Sequence, residues 1–216
     1  MQSQTRAARR DPAPRFTSGA VHGCVTRSST LRGQASAIDL DGWLDRMPGR
    51  CRQIYDMPEP NCGMGLAWSW ANLIAGKAND ASDDDLGILI VLRHNTVGLA
   101  LEDWVWSQYR LGEFFDICDP ETGRPAVRNP YWFKPGRLPV PNAGLAQLVR
   151  RGVQVTVCSR SIVHHSGILA RRVGVDPVRV ARDWIDAVHR EIYIAPSGLA
   201  VCNSAVARGC TYVFAS

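Results

Sequence analysis

The sequence predicts an α/β fold, in which a doubly wound, mostly parallel sheet of five strands carries helices on both faces. Two observations lead to this fold class. Five short segments have the apolar or alternating pattern of strands, and segments with helical periodicity or helix-cap residues separate them. Such alternation is typical of βαβ units joined by right-handed crossovers. The strands are expected at residues 52–56, 86–92, 153–157, 192–195 and 211–215.

The central strand of this sheet has the clearest signal in the chain. Residues 86–92 read LGILIVL, a continuous apolar run of the kind that is buried on both faces of a parallel sheet. The first strand, residues 52–56, alternates polar and apolar side chains and is closed by Pro58 and Pro60. We therefore expect a buried central strand and a shorter, partly exposed first strand.

Caps and breakers set the limits of the predicted helices. Asn61 is the predicted N-cap of the helix after the first strand, and Gly76 is its predicted end. Asp176 followed by Pro177 opens a later helix, with aspartate as N-cap and proline in the first turn. Helices are expected at residues 38–46, 61–75, 98–110, 143–151, 161–173, from 176 onward, and 197–208.

Residues 113–142 interrupt the alternation with a long loop. The segment sustains neither the helical nor the strand period, and prolines and glycines recur along it. Loops of this length inside a compact domain are usually functional lids, interface arms or disordered segments. Five aromatic side chains argue against disorder here, because such side chains tend to dock on other structure: Phe114, Phe115, Tyr131, Trp132 and Phe133.

The positive charge of the chain belongs to a leader and not to the domain. The formal net charge is +5, and residues 1–35 alone contain six arginines and one acidic residue. Residues 50–216 are therefore expected to form a single, nearly neutral domain. Such a domain lacks the basic surface that binding to nucleic acid requires.

The leader itself, residues 1–37, allows two interpretations. Arg9 and Arg10 form a twin-arginine pair, and Ala35-Ser36-Ala37 resembles a cleavage site, but the apolar segment of a signal peptide does not lie between them. The leader is either a degenerate export signal or a disordered basic tail, and its low apolar content favours disorder. A working signal would place the protein in the periplasm; otherwise it is expected in the cytoplasm.

Composition also limits the cofactors and the topology. Seven cysteines are present, but none lies in a CxxC pair or close to a second metal-type ligand, so we expect no bound metal. The odd number leaves at least one thiol without an intramolecular partner. The sequence contains no dinucleotide-binding, P-loop or serine-hydrolase motif, so no cofactor is expected. No apolar run approaches the roughly 20 residues that span a bilayer.

Reactive groups in an open parallel sheet gather at the carboxyl ends of the strands. Cys158 ends the strand of residues 153–157 and directly precedes a helix, whose first N–H groups and dipole favour a thiolate. Arg160 adds positive charge and is a candidate for substrate binding. Cys158 is therefore the predicted catalytic thiol, although a cysteine at this place can also be a small buried hydrophobic residue.

A second polar segment follows the central strand. His94 is a predicted catalytic residue, because imidazole titrates near neutral pH and can orient or deprotonate a substrate or thiol. A structural role for His94 is equally compatible with the spacing. Arg93 and Asn95 are candidates for substrate binding, with Arg93 as an anion clamp. His164 and His165 are adjacent in a helix and cannot both face one metal ion.

The same segments carry a family resemblance. The chain from about residue 50 to residue 215 resembles uncharacterised DsrE-like proteins, many of which bear twin-arginine signals. The residues that carry the resemblance are CRQIYD at 51–56 with Pro58, Pro60 and Asn61, LRH at 92–94, LGE at 111–113, DPETGRPA at 119–126, RNPY at 128–131, RGV at 151–153 and VC at 157–158.

The resemblance implies a doubly wound α/β fold, frequent oligomerisation and, in better understood members, a cysteine that carries sulfane sulfur between partners. Cys158 is the matching position. The leading hypothesis is therefore a sulfur-relay protein, a sulfur carrier that resembles a sulfurtransferase, which forms a homo-oligomer and exchanges sulfur with a donor and an acceptor. Residues 113–142 would then cover the site or form the subunit contact. The alternative is a non-catalytic module that binds a small ligand or assembles with a partner.

Overall fold

The computed structural model describes residues 39–78, 85–134, 140 and 142–216. The strands are β1 (Cys51–Met57), β2 (Leu86–Leu92), β3 (Gln154–Cys158), β4 (Tyr193–Ala195) and β5 (Thr211–Phe214). The α-helices are α1 (Leu40–Leu44), α2 (Met64–Ala78), α3 (Asp103–Tyr109), α4 (Leu111–Phe114), α5 (Leu145–Arg150), α6 (Ser159–Val173), α7 (Pro177–Asp186) and α8 (Gly198–Ala207). Two 3-10 segments cover Asn61–Gly63 and His94–Ala100. The leader, residues 1–37, lies outside the described residues.

The five strands form one parallel sheet in the order β4-β3-β2-β1-β5. β2 lies at its centre and pairs over its whole length with β1, from Cys51 opposite Leu86 to Met57 opposite Leu92. The remaining pairs, β1 with β5, β2 with β3 and β3 with β4, are also parallel. The predicted fold class is confirmed, and the sheet is parallel throughout.

Two apolar clusters cover the two faces of the sheet. On one face, side chains of α2, α6 and α7 pack on alternate residues of the strands, among them Ile88, Ile90 and Val157. On the other face, the smaller cluster joins α1 and α8 to residues such as Ile54 and Leu89. Because neighbouring side chains of a strand point to opposite faces, the run LGILIVL supplies both clusters.

The crossover helices explain why the sheet is doubly wound. The chain moves from β1 through β2 and β3 to β4 in one direction, and α2 and α6 lie on the face of the larger cluster. After β4, α8 crosses on the opposite face and returns the chain to β5, beside β1. The loops that leave β3 and β4 therefore diverge to opposite faces.

The helix after β1 differs from the prediction at both ends. Asn61 does not act as the N-cap of an α-helix but lies inside a 3-10 turn, where Asn61 and Cys62 have φ values of 37° and 52°. The α-helix continues through Gly76 to Ala78. Gly76 serves close packing instead, because a Cβ there would lie 2.2 Å from Cδ1 of Leu86.

The helix predicted for residues 98–110 is shorter than expected. A 3-10 segment occupies His94–Ala100, and the α-helix begins only at Asp103. Thr96 holds the 3-10 segment in place, since its hydroxyl donates to the carbonyl of Met57 at the end of β1 and accepts from the N–H of Arg93. This segment fixes the backbone directly beyond the central strand.

The predicted opening of a later helix by Asp176 and Pro177 is confirmed, because the Asp176 side chain accepts from the N–H of Val178.

The loop of residues 113–142 is docked through most of its aromatic side chains. Tyr131 is buried, Trp132 stacks on His189 with ring centroids 3.4 Å apart, and Phe114 and Phe115 pack near Trp184. Phe133 is 63% exposed and is the one of the five aromatic side chains that does not follow this tendency. Within the described part of the chain, no helix is long and apolar enough to cross a membrane.

Candidate functional site

The diverging loops after β3 and β4 open a crevice at the carboxyl edge of the sheet. Open α/β sheets bind ligands at such a point, where neighbouring connections leave to opposite faces. Cys158 is the last residue of β3 and pairs with Ala195, the last residue of β4. The predicted thiol therefore lies where the topology opens the sheet.

Both helices that start at this crevice bring polar groups close to the Cys158 thiol. These groups are the Ser161 hydroxyl and three backbone N–H groups, those of Gly198, Ser161 and Arg160. Burial of the thiol raises its pKa, but hydrogen bonding by these groups outweighs burial, and the pKa of Cys158 is lowered from its ordinary value. Both helices also direct their positive dipole ends at the sulfur. The surroundings stabilise a thiolate.

Access to this thiol is narrow. Cys158 is 6% exposed, which leaves no room for a bulky reagent to surround its side chain. Burial acts on the pKa of this thiol, but nearby hydrogen-bond donors offset the effect of burial. The site thus differs from a cysteine buried among hydrophobic residues, such as Cys202, whose pKa burial raises to about 12.

Arg93 lies beside the same crevice but is engaged in an ion pair. Its Nε and Nη2 donate to the two carboxylate oxygens of Asp56, at 2.7 and 2.8 Å. The side-chain hydrogen bond with Asp56 raises the pKa of Arg93 further. A Cβ at Gly198 would lie 3.2 Å from Cβ of Arg93, and the backbone N–H of the same glycine helps to lower the pKa of Cys158. A side chain at position 198 would require Arg93 to move by a few tenths of an ångström.

Asp56 is fully buried at the end of β1 and joins three strands. It accepts from Arg93, which directly follows β2, and from the hydroxyl of Tyr212 on β5. Burial, followed by the hydrogen bond to Asp56, raises the pKa of Tyr212 to about 12. The phenol is therefore protonated at neutral pH and remains a donor to the carboxylate.

His94 has a separate set of neighbours. Its Nδ1 lies 3.4 Å from Nε2 of His165, and its Nε2 lies 3.8 Å from Oε1 of Glu59. The backbone of His94 is left-handed, with φ of 53°, which turns the ring toward these partners. Asn95 holds Glu59 in turn, because its amide donates to both carboxylate oxygens at 2.8 Å.

His165 is buried and neutral. Burial is the main cause that lowers its pKa to about 4, and the nearby imidazoles of His94 and His164 lower it further. Phe115 packs against its ring at a centroid distance of 5.5 Å. At neutral pH, His165 therefore offers His94 an uncharged ring that can donate or accept one hydrogen bond.

The structure brings some predicted residues together and separates others. Cys158 and Arg93 share contacts with Gly198, as a common crevice requires. The ring of His94 instead contacts His165 and Glu59. Arg160 contributes its backbone N–H to Cys158, while its side chain is exposed. The amide of Asn95 is engaged by Glu59, so its predicted role in substrate binding would require this pair to open.

Several residues at this edge were missed by sequence reasoning. Asp56 ends β1 as a polar residue after apolar ones, and the rule used for the ends of β2 and β3 would have found it. Gly198 follows β4 at the start of a helix, a position that favours close approach of backbone to a ligand or side chain. His165 was considered only as a neighbour of His164, and its pairing with His94 depends on how α6 packs, which no local pattern shows.

A cavity of about 350 Å³ opens at the same edge of the sheet, beyond β1. One wall comes from the turn after β1 and the other from the long loop, and Cys158 is not among the lining residues. Two other cysteines line the cavity, one from each wall. The lining residues are Pro60, Asn61, Cys62, Phe115, Asp116, Ile117, Cys118 and Tyr131.

The described residues do not assemble a metal centre. Within residues 39–78, 85–134, 140 and 142–216, no group of three or more His, Cys, Asp or Glu side chains could hold a metal ion.

Fold and site define an open, doubly wound α/β protein with a hydrogen-bonded thiol in its strand-end crevice. Comparison with known proteins adds no family to this description, since no family model and no curated protein matches the chain. The DsrE-like resemblance thus remains a sequence-based expectation.

Proposed function

We propose that this protein is a DsrE-like sulfur-relay protein that carries sulfane sulfur on Cys158. The observation that supports the proposal is the place of Cys158 at the end of β3, opposite the end of β4 and directly before α6, where the Ser161 hydroxyl and nearby backbone N–H groups lower the pKa of the thiol although the residue is nearly buried. A sulfur carrier needs a thiolate as nucleophile and an environment that stabilises the negative charge of the persulfide afterward. Backbone N–H groups from two helices supply both.

The proposed step transfers one sulfur atom without net oxidation or reduction. The Cys158 thiolate attacks the outer sulfur of a donor persulfide, and a new S–S bond forms at Sγ. The S–S bond of the donor breaks, and the donor leaves as a thiolate that takes up a proton from solvent. Release to an acceptor thiolate is the same exchange in reverse, with Cys158 as leaving group.

The neighbouring residues receive proposed roles in this exchange. Arg93 lies across Gly198 from the thiol and provides positive charge for an anionic donor, although Asp56 holds two of its nitrogens. Arg160 is exposed beside the crevice and attracts the same anions from solvent. The proton of the leaving group comes from solvent, and the ring of His94 stays engaged with His165 and with Glu59, which Asn95 holds in place.

The direct test is sulfur loading followed by intact-mass and peptide mass spectrometry. The fully reduced chain is incubated with a small-molecule persulfide donor and analysed for a bound sulfur atom. We expect one added sulfur on the peptide that contains Cys158, removable by a thiol reductant, and its loss in Cys158→Ser.

Cys210→Ser is the matched control. Cys210 is as buried as Cys158, but burial raises the pKa of its thiol, so this variant should load sulfur like the parent. If Cys158→Ser takes up as much labile sulfur as the parent and Cys210→Ser, Cys158 is not the carrier and the proposal fails.

A second candidate function is the binding of a small ligand without catalysis. The cavity beyond β1 favours it, because the cavity has a volume typical of ligand sites and does not include Cys158. The low exposure of Cys158 also favours it. In that case the hydrogen bonds of Cys158 serve only to satisfy a buried sulfur.

The two candidates differ in how fast Cys158 reacts. A working nucleophile should be labelled by a small alkylating reagent in the folded protein, with a rate that rises through a pKa below that of free cysteine. A buried structural cysteine should be labelled only when denaturant is added. Measurement of labelling rates for each cysteine, with and without denaturant, separates the two.

A further inference from the structure

The cavity beyond β1 brings two cysteines from distant parts of the chain into one site. Cys62 lies in the 3-10 turn that precedes α2, and Cys118 lies in the long loop, yet both line the same space of about 350 Å³. Both are free thiols. Cys62 is exposed and Cys118 is partly exposed, whereas Cys158 is nearly buried, so a dissolved molecule meets the cavity thiols more readily.

Each wall of the cavity is anchored to ordered structure. Cys118 pairs with Pro125 in an antiparallel bridge, and the N–H of Ala126 donates to the carbonyl of Ile117. On the opposite wall, the N–H of Gly63 donates to the carbonyl of Pro60, closing the turn that holds Cys62. The two thiols thus face the cavity from built elements.

The backbone around the cavity is strained where it presents these groups. Asn61, Cys62 and Asp116 all line the cavity and all have left-handed backbones, with φ of 37°, 52° and 54°. Such conformations cost free energy and persist where packing enforces them, commonly at functional sites. Both Cys62 and Asp116 line the space between the walls from such positions.

We propose that Cys62 and Cys118 are a two-thiol redox pair that reduces a small disulfide bound in this cavity. This activity is independent of sulfur carriage by Cys158. Among the described residues that line the cavity, Asp116 is the one carboxylate and none is basic, while Phe115, Ile117 and Tyr131 supply apolar walls. The chemistry fits a small disulfide that is neutral or positively charged, and disfavours an anionic one.

The reaction balances as two successive thiol–disulfide exchanges. The Cys62 thiolate attacks one sulfur of the disulfide, forming a mixed disulfide and releasing the first half as a thiolate that takes up a proton. The Cys118 thiolate then attacks the sulfur of Cys62, forming the Cys62–Cys118 disulfide and releasing the second half as a thiol. Two electrons pass from the protein to the ligand.

The test uses cystamine, a small disulfide with two positive charges, and the fully reduced full-length chain. We expect the intact mass to fall by that of two hydrogen atoms, and digestion to yield a cross-linked peptide containing Cys62 and Cys118. In Cys118→Ser, the first exchange cannot be resolved, so the mixed disulfide at Cys62 should persist. Cys51→Ser removes another exposed thiol outside the cavity and should react like the parent.

The charge of the cavity provides a second readout. Each rate is divided by the rate at which the same disulfide reacts with a free thiol. On this scale, cystamine should react faster than oxidised glutathione, which is larger and anionic. Asp116→Asn keeps a side chain that tolerates the left-handed backbone. This substitution removes the negative charge and should lower the ratio of the cystamine rate to the glutathione rate about fivefold. Cys210→Ser removes a buried thiol that has no part in either site and should leave both rates unchanged. The cross-linked peptide reports on Cys62 and Cys118 alone, so failure of the sulfur-relay proposal would not affect this result.

Two outcomes would overturn the redox pair. One is the absence of the cross-linked peptide while cysteamine adducts accumulate at Cys62. The other is a Cys118→Ser variant that loses its adduct at Cys62 as fast as the parent, because Cys118 would then have no part in resolution. Unfolding curves of the variants establish that each is folded under the conditions of the test.

Discussion

Ser161 is the side chain that most directly supports the Cys158 thiolate, because its hydroxyl and its N–H both donate to the sulfur. Replacing it by alanine removes the hydroxyl and leaves the N–H. A hydrogen bond to a charged group contributes roughly 1.5–3 kcal/mol, so Ser161→Ala should raise the pKa of Cys158 and slow its alkylation near neutral pH about tenfold. The pH dependence of the labelling rate measures both effects.

Ser159→Ala is the control for this substitution. Ser159 lies in the same first turn of α6, but its hydroxyl donates to the carbonyl of Pro196. We expect the pH dependence of Cys158 labelling in this variant to follow that of the parent. Equal effects of the two substitutions would show that the helix end, and not the hydrogen bond, sets the reactivity of Cys158.

The ion pair between Asp56 and Arg93 should matter more for stability than any exposed pair. Asp56 is fully buried, and loss of its partner would leave a carboxylate that only Tyr212 contacts through its side chain. Arg93→Ala should therefore lower the free energy of unfolding by roughly 3–5 kcal/mol. Urea unfolding measures the loss.

Arg190 offers the matched surface substitution. Its pair with the adjacent Glu191 is largely exposed to solvent. Arg190→Ala should unfold at the same urea concentration as the parent within error, because exposed pairs contribute little. A large loss in both variants would indicate that the change of side chain, and not burial of the pair, is responsible.

At this scale, the sequence predicted positions better than contacts. Cys158 was placed correctly because the end of a strand and the start of a helix are both local signals. The engagement of Arg93 by Asp56 was not predictable in the same way, since the two residues belong to different strands and meet only when β1 and β2 are in register.

Two glycines in helices differ in how closely other atoms approach them. In α4, a Cβ at Gly112 would lie 2.2 Å from the backbone nitrogen of Ala126, in the long loop. In α6, a Cβ at Gly167 would have only the end of the Arg171 side chain nearby, at 3.6 Å. Replacement of each glycine by alanine should therefore change the stability of the protein in opposite directions.

Gly112→Ala should destabilise the protein by roughly 1–3 kcal/mol, because a backbone cannot move aside as a flexible side chain does. Gly167→Ala should stabilise it by about 0.5–1 kcal/mol, because alanine restricts the unfolded chain and favours the helix. Thermal and urea unfolding of the two variants check the signs. Destabilisation by both would mean that α6 also needs its glycine for packing.

The elements were predictable to the extent that local rules determine them. All five strands and the cap formed by Asp176 lie where apolar runs and cap residues placed them. The helix after β1 passed through Gly76 because contact with Leu86, and not the preference of glycine for helix ends, determines that position. The 3-10 segment after β2 likewise depends on Thr96 reaching the end of β1.

For the whole molecule, stability should depend on pH through His165. The pKa of His165 is lowered mainly by burial, to about 4, whereas an unfolded histidine titrates near 6.5. The unfolded chain therefore binds the proton first as the pH falls. The contribution of His165 to the free energy of unfolding should be fully present above pH ~6.5. It should decrease by about 3 kcal/mol as the pH approaches ~4.

Urea unfolding of parent and His165→Gln at several pH values checks this expectation. The difference between their pH profiles should be confined to the window between the two pKa values. His164→Gln, an exposed neighbour, should keep the steep dependence of the parent. Parallel profiles for parent and His165→Gln would show that other carboxyl or imidazole groups cause the acid sensitivity.

The placement of β5 beside β1 has a consequence for biosynthesis. Asp56 and Tyr212 are 156 positions apart, and β5 is made after every other strand of the sheet. A nascent chain can assemble the other four strands, yet one edge of β1 stays unpaired and the buried carboxylate lacks its phenol donor until residues 211–214 emerge. Completion of this sheet is therefore a late event in synthesis, and an interrupted chain would display β1 as an open edge for chaperones or aggregation.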